Sequence, residues 1–156
     1  MKDLWPDTFV DPNQTKAPVA VLREQASFLG EKTNNLVTAE VKPLGRQIRK
    51  SQDDPFMPPD AEPEEEFKYI FYLVAPALDH YRYRLFTIGN NIELYPVTLY
   101  WSQETEETTK EQVTMAYNQQ ELEGMLTNIF SASRTQRVIR AMLLQSEERE
   151  VDDIPF

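Results

Sequence analysis

The chain has 156 residues, a length that fits one domain with a core of its own. Hydrophobic residues make up 40% and aromatics 11%, enough to fold, and the lack of cysteine excludes disulfides, thiolate metal sites and cysteine nucleophiles. Twenty-six acidic against 16 basic side chains give a net charge of −10, so the average surface repels phosphates and suits solubility and basic partners.

A single histidine, His80, argues against a His-rich zinc site. Four glycines, never clustered, form no phosphate-cradling loop. No catalytic residue, metal or cofactor is expected. The N-terminus lacks the apolar core of a signal peptide, and the longest nearly apolar run, residues 69–78, is broken by Pro76 and too short to span a bilayer. The expected location is the cytoplasm, with no membrane partner.

Residues 1–17 read as an irregular arm that Trp5 and Phe9 tack onto the domain. Pro18 suits a first helical turn. Beyond it Val19, Leu22, Ala26, Leu29 and Leu36 recur at helical spacing, predicting an amphipathic helix of about five turns. Residues 36–41 extend that helix or begin a strand, and their β-branched content favours strand. Residues 51–66 are acidic and proline-rich, which predicts an extended, mobile loop inserted within one domain. Within them Asp53-Asp54-Pro55-Phe56 reads as loop, and the run Glu62 to Glu66 as solvated charge without the geometry of a calcium loop.

Three strands follow, over residues 67–74, 80–88 and 92–101, with Gly89-Asn90-Asn91 as the turn between the last two. Pro96 places the third at an edge or bulge. After a polar spacer at 102–110, residues 112–117 predict a fourth strand. Asn118 with Glu121, and Ser133 with Gln136, read as helix caps. They precede apolar stripes at Leu122, Met125, Leu126, Ile129 and Phe130, and at Val138, Ile139, Met142 and Leu143. The short link between them predicts an antiparallel helix pair. The fold class is therefore α+β: an N-terminal helix, a small mostly antiparallel sheet of about 3–5 strands and a C-terminal helix pair. Residues 18–147 form this single domain, and 148–156 an acidic C-terminal tail.

Interleaved basic and aromatic residues occur in one place, from His80 to Phe86. As a strand it presents His80, Arg82 and Arg84 on one face and Tyr81, Tyr83 and Leu85 on the other. One reading is a platform for single-stranded nucleic acid, with Tyr81 and Tyr83 stacking and Arg82 and Arg84 contacting phosphates. The other is a half-buried strand whose arginines pair with carboxylates. Asp79 beside His80 is no acid–base device, because neighbours on a strand point opposite ways.

The chain closes on Asp152-Asp153-Ile154-Pro155-Phe156. Residues 146–151 read as a charged continuation that frays from the helix. Pro155 bars further helix, and two adjacent carboxylates oppose the dipole at a helix C-terminus, so Asp152 to Phe156 are expected to be extended and exposed. This ending resembles the acidic tip of bacterial single-stranded-DNA-binding proteins, over these five residues only. The resemblance implies docking on DNA-maintenance proteins, with Phe156 as anchor, Pro155 and Ile154 as support and Asp152 and Asp153 as an electrostatic rim. The physics agrees. A partner with a basic-rimmed apolar pocket can bury the ring and pair with the carboxylates, including one on Phe156, while proline limits the entropy lost. The front of the chain departs from that family's oligonucleotide-binding barrel, since it opens on a helix and lacks a long linker. Three functions follow. The first is an adaptor or regulator that docks through the tip, in replication, repair or phage defence. The second is a single-strand binder using the His80–Phe86 strand, and the third an acidic immunity or antitoxin protein that neutralises a basic partner.

Overall fold

A computed structural model describes residues 1–6, 15–44, 65–104 and 109–152. In chain order the elements are α1 (Pro18–Lys32), β1 (Thr38–Pro43), β2 (Phe67–Ala75), a 3-10 turn (Pro76–Leu78), β3 (Tyr81–Asn90), β4 (Val97–Glu104), β5 (Thr109–Ala116), α2 (Gln119–Ser131) and α3 (Ser133–Asp152). The class is α+β. The five strands form one antiparallel sheet in the sequential order β1-β2-β3-β4-β5.

Helix α1 starts on proline, as its fixed φ and missing N–H allow. It stops a turn earlier than its apolar spacing suggests. Asn34 and Asn35 take left-handed φ values of 52° and 64°, and the Asn35 N–H donates to the Gly30 carbonyl at 2.9 Å. Asparagine tolerates that conformation better than most residues, so the pair ends the helix and turns the chain into β1. Leu36 thus lies beyond the helix, and residues 38–43 are strand.

The expected turn at Gly89-Asn90-Asn91 is corrected. Gly89 and Asn90 belong to β3, paired with Thr98 and Val97. The connection spans 91–96, so the third strand begins at Val97 rather than Ile92. Pro96 precedes that strand, and β4 is flanked by β3 and β5, so neither edge nor bulge accounts for it. Strands β4 and β5 also reach into the polar spacer, pairing as far as Glu104 and Thr109. Trp5 is 76% exposed. Phe9, residues 45–64, which take in the acidic loop up to Glu64, and residues 105–108 lie outside the described residues.

One sheet face carries the core. Phe71 and Phe86 stack in register at 4.9 Å between centroids, and Phe130 of α2 tilts onto both at 5.6 and 6.3 Å. Around them Leu22 and Val37, then Ile88, Val97 and Leu122, are fully enclosed. Helix α2 opens as expected. Asn118 Oδ1 accepts the Glu121 N–H at 2.8 Å, and Glu121 Oε2 accepts the Tyr117 N–H at 2.7 Å. At α3 the helix begins at Ser133, so Ala132 holds the cap position and its carbonyl accepts from Gln136. The buried Thr135 hydroxyl donates to the Ile129 carbonyl at 2.7 Å, tying α3 to the end of α2.

Helix α3 is continuous through Asp152. Residues 146–151 thus continue the helix, and the expected extended segment is corrected at Asp152, which is still helical, with Arg149 in the last turn to offset the dipole that the acids oppose. Among the described residues no helix is long and apolar enough to cross a membrane.

Candidate functional site

The backbone register decides which side chains of the basic–aromatic strand meet. Tyr81 and Tyr83 pair with Ala75 and Leu73, both core residues, whereas Arg82 and Arg84 pair with Val74 and Tyr72. Side chains opposite one another across a pair share a face. Arg82 and Arg84 therefore stand on the face turned away from the core, and Tyr83 packs against the core. Tyr81 is on the core side but 53% exposed at the strand's start. The alternation is as expected, with two exceptions. His80 is not in the strand: it and Asp79 both take φ of 57° in the turn before it. Leu85 is the extra residue of a β-bulge, since Phe71 pairs with Phe86 and Tyr72 with Arg84. After the bulge, Thr87 is back on the face of Arg84, and Arg84 Nε and Nη2 donate to Thr87 Oγ1 at 3.1 and 2.6 Å.

The same face collects residues that the sequence did not single out. Lys68 aligns with Gly89 and Thr98, and Thr87 aligns with Tyr100. Lys68 Nζ lies 5.9 Å from the Tyr100 ring centroid and 3.8 Å from Glu65 Oε2, and the Tyr100 hydroxyl donates to Glu65 Oε1 at 2.8 Å. Burial pushes the Glu65 carboxyl up, but hydrogen bonds from Tyr100, the backbone and Thr98, with the Lys68 charge, outweigh it and hold the carboxyl below its ordinary range. At the other end Arg82 Nη2 approaches Glu40 Oε2 at 3.0 Å, with Lys42 at 4.0 Å. The arginines thus do pair in part with carboxylates, as the more ordinary reading of the strand supposed. Lys68 and Tyr100 were legible only as alternating residues of two separate strands. Sheet pairing brings them together.

A second feature arises where the sheet opens. Strands β3 and β4 pair only from Thr87↔Tyr100 to Asn90↔Val97. Among the described residues, β3 before Thr87 pairs with β2 alone, and β4 after Tyr100 pairs with β5 alone. The strands splay at the bulge, leaving a cleft of about 450 Å³ lined by Tyr83, Arg84, Tyr100, Trp101, Ser102 and Arg134 among others. Arg134, near the start of α3, lies 5.8 Å from the Tyr83 ring centroid and donates from Nη1 to the Ser102 carbonyl at 3.4 Å. No described carboxylate lines this cleft. Arg84 and Arg134 thus border the same opening beside aromatic side chains.

Of the tip residues, Asp152 is the last residue of α3, and Asp153, Ile154, Pro155 and Phe156 lie outside the described residues. The helix leading to them is exposed at Glu147, Glu148 and Arg149. Among the described residues no group of three His, Asp or Glu side chains is placed to hold a metal ion. No family model, curated protein or solved structure matches the chain.

Proposed function

We propose that the protein is a non-enzymatic adaptor or regulator of the cytoplasm that docks on DNA-maintenance proteins through Asp152-Asp153-Ile154-Pro155-Phe156. The order of those five residues carries the reading. The helix that precedes them supports it, because a continuous α3 with exposed charges in its last turns is a stiff stem for a peptide to be read by another molecule. Phe156 supplies apolar area, Pro155 reduces the entropy lost on docking, and the two aspartates steer toward a basic rim.

Contacts of this size reach micromolar affinity, about −8 kcal/mol. The test is a pull-down from bacterial lysate followed by titration of each captured protein. Phe156→Ala should abolish capture while circular dichroism stays unchanged, and Asp153→Lys should weaken it. Equal capture by Phe156→Ala and the unaltered chain refutes the reading.

A second reading has one observation in its favour: Lys68, Arg82 and Arg84 share a sheet face with Tyr72 and Tyr100, the mixture that suits a single-stranded nucleic acid. Glu40 and Glu65 stand among those cations and offset them. A fluorescent oligonucleotide titration at low salt separates the readings. Binding that Arg84→Ala weakens supports the second, and no binding leaves the adaptor alone.

A further inference from the structure

Helix α3 carries its charges in an order that a lone helix does not favour. Arg134, Arg137 and Arg140 stand in its first half, Glu147, Glu148, Glu150 and Asp152 crowd the second, and no acid occupies the first turn. A helix dipole favours the reverse, acids toward the N-terminus and bases toward the C-terminus. Arg134 and Arg137 have interactions within the molecule, and Arg149 faces Asp79 at 3.9 Å. Arg140, Glu147 and Glu148 differ, since among the described residues none of them takes part in an ion pair. The helix cannot supply one either, because no opposite charge stands three or four positions from any of them.

These three surround an exposed apolar residue. Leu144 is 59% exposed, and at about 3.6 residues per turn it points away from the buried Thr135, Met142 and Ser146. Arg140, Ala141, Glu147 and Glu148 are exposed and fall within about 60° of it around the helix. At about 1.5 Å per residue, Arg140 lies about 6 Å toward one end of the helix from Leu144, and the two acids about 4.5 and 6 Å toward the other. Such a pattern is complementary to itself when reversed. A second copy turned end for end about Leu144 sets leucine against leucine. It also brings its Glu147 to the same flank as Arg140 and within about 1.5 Å of it along the axis. The symmetry makes the exchange twice, and the two helix dipoles then run antiparallel. An unrelated helix would have to match this order of charges, whereas a copy carries it already.

We infer that the Arg140–Glu148 face of α3 joins two copies in an antiparallel, two-fold dimer. Arg140 of each copy pairs with Glu147 of the other across the Leu144 contact, and the small Ala141 lets the helices approach. The face is narrow and both chains are net negative, so the dimer is weak and reversible. It does not rest on the tail being a docking peptide.

Charge reversal tests this directly. Sedimentation equilibrium of the full chain up to about 1 mM should show monomer and dimer in exchange. Arg140→Glu and Glu147→Arg each set like charges face to face at both pairs, and each should weaken the dimer by about tenfold or more. Mixed in equal amounts the two variants should dimerise again, because each supplies the charge that the other lacks. A chain carrying both reversals should dimerise by itself. Both positions are exposed, so far-UV circular dichroism should stay unchanged. The register has a test of its own. The chain has no cysteine, so under mild oxidation Leu144→Cys should give a disulfide-linked dimer far more readily than Asn128→Cys, an exposed position on α2. A full chain that stays monomeric, a dimer that either reversal leaves unchanged, a mixture and a double reversal that fail to recover it, or equal cross-linking at both cysteines overturns the inference. Phe156→Ala should dimerise as the unaltered chain does, so loss of tail docking and loss of the dimer are told apart.

Discussion

At the scale of single residues, Glu65 joins chemistry to packing. Its carboxylate accepts from Tyr100 and faces Lys68, and these partners hold its charge against the cost of burial. Its pKa is lower folded than unfolded. Its contribution to stability is thus present above the unfolded value and is lost as pH falls through the folded one. Denaturant titrations over a pH series should show Glu65→Gln less stable at neutral pH and less sensitive to acid than the unaltered chain. Parallel acid limbs for the two proteins would exclude this role. Phe86 tests the core in the same way. It stacks on Phe71 in register and is fully buried, so Phe86→Ala should cost about 3–5 kcal/mol, read as a lower denaturant midpoint with an unchanged slope. Phe86 lies in a recognisable strand run and could be read as core from the sequence, whereas Glu65 lies in a run read there as solvated charge. The partners of Glu65 come from Lys68 in β2 and Tyr100 in β4, and no local spacing reveals that meeting.

At the scale of elements, what could be read in advance follows from whether the signal is local. The cap at Asn118, the proline start of α1 and the apolar stripe of α2 are contained within a few residues, and the structure keeps them. The glycine before Asn90 was misleading for a physical reason. A Cβ on Gly89 would come within 3.1 Å of the Glu65 side chain, so this glycine permits a close crossing instead of a turn. Gly89→Ala should displace Glu65 and shift the acid limb toward that of Glu65→Gln. The bulge at Leu85 was equally hidden, because one extra residue is visible only against its partner strand. Helix α3 offers a stabilising change. Ser146 is fully buried, and its hydroxyl has no hydrogen-bond partner among the described residues. Ser146→Ala removes that orphan and improves helix propensity, for a gain of about 1 kcal/mol in chemical denaturation. A loss of stability would mean that the hydroxyl is satisfied.

At the scale of the whole molecule, charge acts in two opposed ways. The net −10 repels itself in the compact state, whereas the proposed docking of the acidic tail draws on attraction to a basic rim. Salt shortens the Debye length from about 30 Å at 0.01 M to about 3 Å at 1 M, and exposed charges feel this most. Screening relieves the general repulsion, so the midpoint of thermal unfolding should rise with salt. Screening also weakens attraction between the tail and a basic site, so docking should become weaker over the same range. The two trends are measurable on one protein by a thermal melt and a peptide titration at matched salt. An affinity that salt leaves unchanged would mean the aspartates do not take part, and Phe156 alone would then have to carry recognition. The acidic total and the tail could both be read from the sequence. The cleft could not, because Arg84 and Arg134 lie fifty positions apart and border one opening only through the splay of β3 from β4 and the start of α3 beside it. That opposition of signs makes salt the most direct probe of whether the tail is read by charge and ring together.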